Sequence, residues 1–272
     1  MDAAKLMAVF SVALAIISTS IFSTVSSQEV EDEREFSYVV GDDHGPERWS
    51  LIHREWEICN NGLFQSPIDI SDKNVEVDCN LTRLRRTYRT SSATFINRGH
   101  DVMLQWEGDG AGGFWLNGTE YTLYQLHWHS PSEHTLNGKR FPAELHMVHM
   151  TADNKTAVVG IIYRFGKPDP FLAEMEKYIK HIHGEEHSEH SAGEVNPRHI
   201  KLGNRKYYRY IGSLTTPPCT EGVVWTIMDK IASISKQQVK MLREAVMDNV
   251  DENARPTQDS NGRVVNKYRP AY

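Results

Sequence analysis

The feature that most restricts the fold of this chain is a stretch in which histidines alternate with apolar residues. Residues 125–149 read QLHWHSPSEHTLNGKRFPAELHMVH and contain five histidines. In a β-strand, side chains at positions i and i+2 point to the same face. The alternation therefore predicts a strand in which His127 and His129 share one face with Gln125, while the intervening leucine and tryptophan occupy the other.

The second half of the stretch predicts a partner strand. By the same alternation, Glu144, His146 and Val148 share a face. The 16 residues between His129 and His146 are enough for a loop that brings the two strands together. The imidazoles of His127, His129 and His146 would then meet. Three neutral ligands would leave the charge of Zn²⁺ intact and a fourth tetrahedral position open, as expected for catalytic rather than structural zinc.

Ligand histidines usually need a hydrogen-bond acceptor for the ring nitrogen that does not face the metal. Gln125 and Glu144 each precede a predicted ligand by two residues on the same face, so either can serve. His134 and His149 face differently and are interpreted as structural. The alternative is that the two histidines of the His-x-His pair are ordinary polar side chains of a strand and bind no metal.

A second metal motif overlaps the first. His127, His129 and Glu133 also fit the HxHx3E motif of cupins, in which the glutamate is itself a ligand. Cupins then place a glycine seven positions after that glutamate, where this chain has Arg140. Their later histidine motif begins with PxG, which FPAELH lacks. The cupin alternative is therefore disfavoured.

The rest of the chain predicts one sheet-dominated domain. Runs of alternating or β-branched residues recur, separated by turn-rich pieces such as EGDGAGG: ATFINRG, DVMLQW, YTLYQLHWH, AELHMVHM and TAVVGIIYRF. Helical spacing predicts a helix over Pro170–Ile182, and Ser235 with Gln238 resembles a capping box that opens another. No repeat or linker divides residues 35–272, so we expect a mainly β (α+β) single domain with a few surface helices.

The N-terminus predicts a secretory signal peptide over residues 1–27. Lys5 precedes an apolar run, Leu6–Ile17, and small polar residues follow through Ser27. The run is shorter than the ~20 apolar residues that span a bilayer, so we expect no stable membrane span and a soluble mature chain from about Gln28. A buried N-terminal helix is the alternative. The formal net charge of −6 disfavours nucleic acid as a partner and favours a small-molecule substrate.

Two further features agree with secretion. Sequons at Asn80, Asn117 and Asn154 predict glycan acceptors on exposed loops. The three cysteines allow one disulfide in an oxidising compartment and leave one thiol over, and their number alone does not say which two pair.

Several motifs together resemble the alpha-class carbonic anhydrases, most closely the plant branch. The resemblance spans GPERW to YRP, residues 45–270, with six motifs in order: QSPIDI, NRGH, QLHWHSPSEHT, ELHMVH, GSLTTPPCTEG and NARPTQ. It implies that residues 28–272 form a central, mostly antiparallel twisted sheet of about ten strands. It also implies reversible, zinc-dependent hydration of carbon dioxide to bicarbonate and a proton, with zinc-bound hydroxide as the nucleophile. Storage and nectar proteins of the same family, with weak or no activity, remain the alternative.

The resemblance assigns roles to individual residues. It makes His127, His129 and His146 the zinc ligands, and it names the groups that hydrogen-bond to them: Gln125, Glu144 and the backbone carbonyl of Asn253. Thr215 is implied to accept a hydrogen bond from the hydroxide and to donate one to Glu133, because an ionised carboxylate only accepts. The implied substrate pocket consists of Val148, Val158, Leu214, Thr216 and Trp225.

The resemblance also implies a proton path and a disulfide. His100 matches the proton shuttle, since histidine titrates near neutral pH, and Tyr38 matches a tyrosine that orders the intervening water. Arg98 and Met103 depart from the animal pattern, in which asparagines are usual; a positive charge beside His100 would disfavour its protonated form. The implied disulfide joins Cys59 to Cys219 and leaves Cys79 free.

Two expectations remain open in the sequence. KHIHGEEHSEHSAGE, residues 180–194, adds four histidines; we interpret it as a solvated, mobile loop, with a weak second metal site as the alternative. The signal peptide predicts entry to the secretory pathway, with a secreted or a chloroplast destination both open.

Overall fold

The computed structural model describes residues 28–29, 33–182, 188–246 and 252–270. The predicted signal peptide, residues 1–27, lies outside these ranges. The described residues form fifteen strands: β1 (Asp69–Ile70), β2 (Val75–Val77), β3 (Arg85–Arg86), β4 (Ser91–Asn97), β5 (Val102–Trp106), β6 (Gly113–Leu116), β7 (Thr119–His129), β8 (Thr135–Leu136), β9 (Ala143–Met150), β10 (Thr156–Phe165), β11 (Glu189–Val195), β12 (Tyr207–Ser213), β13 (Glu221–Met228), β14 (Ala232–Ile234) and β15 (Val265–Tyr268).

Four short α-helices accompany the strands in these ranges: α1 (Trp49–Ile52), α2 (Ile58–Asn61), α3 (Pro170–Ile179) and α4 (Lys236–Val246). Single 3-10 turns occupy Glu33–Glu35, Arg54–Trp56 and Pro197–His199. No helix in the described ranges is both long enough and apolar enough to cross a membrane.

One sheet dominates the architecture. Ten strands follow one another in the hydrogen-bonded order β11-β4-β5-β7-β9-β10-β13-β12-β15-β2, and β3, β6 and β14 attach beside this path to give thirteen. Most neighbours are antiparallel; β10–β13, β10–β14 and β15–β2 are parallel. The mainly β, mostly antiparallel single domain is confirmed, and the expected count of about ten corresponds to the central path. A separate pair, β1 with β8, is parallel.

The predicted helices form on the sheet face that carries Leu126 and Trp128. Apolar side chains of α3 and α4, such as Phe171 and Leu242, join the large core cluster on that face. The capping box is confirmed, because Ser235 Oγ accepts from the Gln238 backbone N–H at 3.1 Å and Gln238 Oε1 accepts from the Ser235 N–H at 3.2 Å.

Helix α3 ends three residues before the predicted boundary at Ile182. The N–H groups of His181 and Ile182 bond to carbonyls three residues back, at 3.0 and 3.2 Å. This tighter spacing belongs to a 3-10 turn, which commonly closes a helix. The apolar periodicity therefore continues past the end of the α-helix, since Ile182 is still buried.

The His/Glu-rich segment is not a loop over its second half. Residues 189–195 form β11, which pairs antiparallel with β4 at the edge of the sheet. Ala192 and Val195 are buried, and the backbone groups bond to β4 whatever side chains they carry. The interpretation of 180–194 as a mobile loop is therefore wrong for residues 189–194, and residues 183–187 lie outside the described ranges.

The disulfide implied by the resemblance is confirmed. Cys59 and Cys219 are bonded, with their Cα atoms 5.0 Å apart, and both are fully buried beside Trp49 and Trp56. Cys79 is free and exposed. Because Cys219 follows Thr215 in the turn after β12, the bond ties that turn to α2.

Candidate metal centre

Strands β7 and β9 place the predicted ligands on one face of the sheet. In their antiparallel register His127 lies opposite His146, and His129 lies opposite Glu144. Residues directly opposite share a face, so the third imidazole joins the first two as predicted. One ring nitrogen from each of His127, His129 and His146 lies within 4.8 Å of the other two, and each residue is at most 1% exposed.

Each ring uses its remaining nitrogen for a hydrogen bond. His127 Nδ1 donates to Gln125 Oε1 at 2.9 Å, His129 Nδ1 donates to the Asn253 carbonyl at 2.7 Å, and His146 Nε2 donates to Glu144 Oε1 at 3.0 Å. These are the three acceptors that the resemblance implied. These hydrogen bonds fix which nitrogen of each ring carries the proton. The nitrogens left without a proton are His127 Nε2, His129 Nε2 and His146 Nδ1.

The donor set fits a metal ion. The Nε2 atoms of His127 and His129 are buried and have no hydrogen-bond partner among the described residues. Burial without a partner is costly for a polar nitrogen. Three neutral imidazole nitrogens are typical ligands of zinc, and such an ion would supply the missing partner.

The pKa values of two rings agree with metal binding. Burial holds the pKa of His127 well below its ordinary value and lowers that of His146 to about 4, so both rings are neutral at pH 7. Burial opposes protonation of His129 as well, but the Glu133 carboxylate and the Asn253 carbonyl outweigh it and raise the pKa of this ring. A metal ion must therefore displace a proton from His129 more often than from the other two.

Glu144 is shared between two histidines. Besides His146 it accepts from His134, through the backbone N–H at 2.9 Å and through Nδ1 at 2.7 Å. Burial raises the pKa of Glu144, yet the two histidines outweigh burial and hold it well below the ordinary value. His134 is thus structural, as interpreted, but it acts within the network of the metal centre. A Cβ on Gly160 would lie 2.5 Å from Ile227 Cδ1 and 3.0 Å from Glu144 Oε1, so a larger residue at this position would require these side chains to shift.

His149 is remote from this network. Its Nε2 lies 2.8 Å from the Tyr88 hydroxyl, and its ring packs against Phe114 on the opposite face. Burial lowers the pKa of His149 to about 3. The structural interpretation of this histidine agrees with its surroundings.

Glu133 and Thr215 are buried at the centre but do not bond to each other. Glu133 Oε1 accepts from the Arg255 backbone N–H at 2.9 Å, while Oε2 lies 3.5 Å from His129 Nε2. Glu133 Oε2 and Thr215 Oγ1 both lack hydrogen-bond partners among the described residues. The hydrogen bond implied between them is therefore absent from this structure, and both atoms keep unused bonding capacity. Glu133 is not part of the histidine cluster that a metal could bridge.

The implied substrate pocket is one buried apolar cluster. Val148 and Val158 are cross-strand partners in β9 and β10, and Trp225 is the next partner in β13. The Trp225 ring lies 4.8 Å from that of His146, and Leu214 joins the same cluster. Thr216 is fully buried, and its hydroxyl has no partner in the described part of the chain.

Residues of the N-terminal segment also reach the centre, and sequence reasoning missed them. Glu29 Oε2 accepts from Gln125 Nε2 at 3.0 Å and lies 3.7 Å from His127 Nδ1. With Gln28 it bounds a small cavity of about 20 Å³ that Val148 and Leu214 also line. Nothing in the local sequence around Glu29 signals this contact, because it joins residues 96 positions apart.

The Arg98 charge near His100 is compensated by acidic partners. Its guanidinium donates to both carboxylate oxygens of Asp101, to Glu29 at 3.0 Å, and lies 3.4 Å from Glu33. Arg98 and its electrostatic partners are all buried. Burial raises the pKa of Glu33 to about 8 despite the nearby arginine, so this carboxyl is protonated at neutral pH.

His100 is held against the wall of the centre. Its Nε2 donates to the Phe36 carbonyl at 2.7 Å, and its ring packs on Phe36 and Tyr38 at 5.4 and 5.3 Å. The residue is 9% exposed. Tyr38 is therefore next to His100 as the resemblance implied, and the His100 ring is held in one orientation by these contacts.

Known proteins resemble this chain over most of its length. The family profile described as eukaryotic-type carbonic anhydrase matches residues 44–269. Alpha carbonic anhydrase 7 of Arabidopsis thaliana is 52% identical over 265 residues, covering 96% of this chain and 96% of that protein. Dioscorin dioA3 of Dioscorea japonica is 46% identical over 253 residues, covering 93% and 92%.

Two solved structures extend the likeness to the fold. Dioscorin complexed with ascorbate is 45% identical, with a TM-score of 0.83 over 87% of this chain and 98% of that one. A hyperthermostable carbonic anhydrase from a hydrothermal vent chimney is 32% identical, with a TM-score of 0.77 over 86% and 100%. Both alignments cover more than 85% of this chain, and the family match over residues 44–269 excludes the cupin alternative.

Proposed function

This chain belongs to the eukaryotic-type carbonic anhydrase family, and from that premise we propose that it hydrates carbon dioxide reversibly to bicarbonate and a proton at a zinc site. The observation that carries the proposal is a cluster of three buried imidazoles, each with its outer nitrogen bonded to an acceptor. Such preorganisation serves metal binding, because it fixes both tautomer and ring orientation.

His127, His129 and His146 would hold the ion. Zinc bound in this way would lower the pKa of its water to about 7, a value that belongs to carbonic anhydrases as a class, and so would supply a nucleophile at neutral pH. Neutral imidazoles suit this role, since cysteine thiolates would reduce the positive charge on the ion.

Thr215 and Glu133 orient the attacking water. Glu133, when ionised, only accepts hydrogen bonds, so a Thr215 hydroxyl that turned toward it would donate to it and present a lone pair to the water. The buried Thr215 Oγ1 and Glu133 Oε2, which have no hydrogen-bond partner in the described ranges, support this assignment. The apolar cluster of Val148, Val158 and Trp225 suits uncharged carbon dioxide.

His100 and Tyr38 form the proton path in this proposal. The hydrogen bond from His100 Nε2 to the Phe36 carbonyl restrains the ring, so the path is inefficient. Replacing His100 by Ala should slow turnover in weak buffer by less than the ~100-fold typical of a well-placed proton-transfer group, and added imidazole should restore it. An unchanged rate would remove His100 from the path.

The alternative of a storage-type protein has support in the same comparisons. Identity to a dioscorin, 46%, is close to identity to an Arabidopsis carbonic anhydrase, 52%. The two functions differ in a measurable way, because a storage-type protein can load zinc without appreciable hydration.

The decisive assay is stopped-flow hydration of carbon dioxide by zinc-loaded protein, with and without a zinc-binding sulfonamide. We expect inhibitable hydration that His146→Ala abolishes and that His44→Ala, a change at an exposed histidine, leaves intact. Glu133→Gln should keep its zinc and lose rate. Zinc-loaded protein without sulfonamide-sensitive hydration would favour the storage-type alternative.

The secretory route is also part of the proposal. It is supported by the apolar run in residues 6–17, by the buried disulfide and by the exposure of Asn80, Asn117 and Asn154. Protein recovered from a plant host should begin near Gln28 and lose mass on treatment with peptide N-glycosidase. An N-terminus at Met1 with no glycan would contradict it. Fractionation of the same host separates the secreted destination from the chloroplast.

A further inference from the structure

A large groove lies on the face of the sheet opposite the metal centre. Its volume is about 680 Å³, within the roughly 300–1,000 Å³ typical of small-molecule sites. One wall is the segment 80–87, the other is the turn that joins β6 to β7, and Tyr207 and Arg209 of β12 line the floor. Arg209 pairs with Thr226 in β13, whereas its neighbour Tyr210 pairs with Trp225 on the metal side.

The groove is basic in a chain whose formal net charge is −6. Arg83, Arg85 and Arg209 line it, and no aspartate or glutamate is among its described lining residues. Glu120 lies at its margin and accepts from the Thr87 hydroxyl at 3.0 Å. Within the described ranges, none of the three arginines has a carboxylate oxygen within the 4.0 Å of an ion pair.

Arg209 is the strongest pointer to a ligand. It is only 8% exposed, and its Nε donates to Thr226 Oγ1 at 2.9 Å. Its Nη2 is buried with no hydrogen-bond partner among the described residues. A buried guanidinium that lacks both a counter-charge and a full set of acceptors is costly, and an anion removes that cost.

An apolar surface lies beside the charges. Arg85 and Trp115 are cross-strand partners in β3 and β6, so their side chains share a face. Trp115 is 44% exposed, which is unusual for so large an apolar side chain, and Leu116 continues the same wall. Arginine forks bind planar carboxylates and similar anions, and an indole packs against a flat ring.

We propose that this groove is a second ligand site, independent of zinc, for a small organic anion with a flat aromatic body. The anionic group lies among Arg83, Arg85 and Arg209, and the ring lies against Trp115. The sequons at Asn80 and Asn117 stand on the rim of the groove, so the chain's own glycans are the competing occupant.

Fluorescence titration with 8-anilinonaphthalene-1-sulfonate tests the site in glycosylated protein recovered from a plant host, with its zinc centre saturated with a sulfonamide. The neutral analogue N-phenyl-1-naphthylamine is the ligand control. Arg85→Gln should weaken binding of the sulfonate by about tenfold, the scale of one charge-assisted contact, and leave the neutral probe unaffected. Arg86→Gln is the matched variant, because Arg86 is equally exposed in the same strand but does not line the groove.

Trp115→Ala should weaken both probes, which places them in this groove rather than at the metal centre. Removal of glycans should leave the affinity for the sulfonate unchanged. Equal effects of Arg85→Gln and Arg86→Gln would overturn the proposal. Binding of the probe only after the glycans are removed would also overturn it, because the occupant of the groove would then be a glycan. Displacement of the probe when the chain self-associates would overturn it too, because the occupant would then be a second copy. None of these outcomes depends on hydration activity.

Discussion

Spacing along the sequence was enough to assign three single residues to the metal centre: His127, His129 and His146. Alternation along two strands was enough to predict that the three rings share a face, and the register of β7 and β9 confirms it. The same reasoning found Gln125 and Glu144 as acceptors. It could not find Glu29, because its contacts with Arg98 and Gln125 join positions 69 and 96 residues apart and leave no local pattern.

Gln125 should contribute to zinc affinity without touching the ion. It accepts the His127 Nδ1 proton and is itself anchored by Glu29. Gln125→Ala should lower zinc affinity by about 10- to 100-fold, the usual effect of losing such an acceptor. Competition with a chelator measures this, and Gln105→Ala, at the paired position in β5, is the control. Equal affinities in the two variants would contradict the assigned role.

Glu33 should make stability depend on pH. Its folded pKa of about 8 lies above the ordinary 4.5, so between these values the folded chain holds a proton that the unfolded chain has released. The stabilisation is complete below about pH 4.5 and is lost as pH rises through 8, with a slope of at most about 1.4 kcal/mol per unit.

Urea unfolding between about pH 5 and pH 9 measures this dependence. Glu33→Gln, which cannot ionise, should flatten the profile, while Glu35→Gln, in the same turn but exposed, should not. Parallel profiles for Glu33→Gln and the unmodified chain would show that this carboxyl does not control the slope.

At the scale of elements, strands and caps were predictable and the sheet edge was not. The five strand-like runs match β4, β5, β7, β9 and β10, and the capping box opens α4. These signals are local. Strand β11 was missed because its EHSAGEV sequence is polar and contains glycine, so only the neighbouring β4 edge makes it a strand.

The disulfide between α2 and the turn after β12 should stabilise the whole fold. It closes a loop with a sequence separation of 160, and a guanidinium nitrogen of Arg255 donates to the Cys59 carbonyl beside it. Replacing both Cys59 and Cys219 by Ala should reduce the free energy of unfolding by about 2–5 kcal/mol. Denaturant unfolding measures it. Cys79→Ala should change stability by less than about 0.5 kcal/mol, and a double variant as stable as this control would contradict the prediction.

At the scale of the molecule, the two proposed sites lie on opposite faces of the sheet. The metal face gathers the three imidazoles, Glu133, Thr215 and an apolar wall, and burial within a thirteen-strand sheet keeps the rings of His127 and His146 neutral. The opposite face carries the helices and the arginine-lined groove. Charge counts along the chain could not reveal that groove, because its arginines come from two distant segments that the fold brings together.

The most direct test of this account is zinc titration of metal-stripped protein, with bound metal measured by elemental analysis. We predict tight binding of a single ion that His146→Ala weakens severely and that the exposed His44→Ala leaves unchanged. If the stripped, folded chain fails to take up zinc, or if His146→Ala binds it as tightly as the unmodified chain, then the three histidines are not the metal site and the proposed chemistry is wrong.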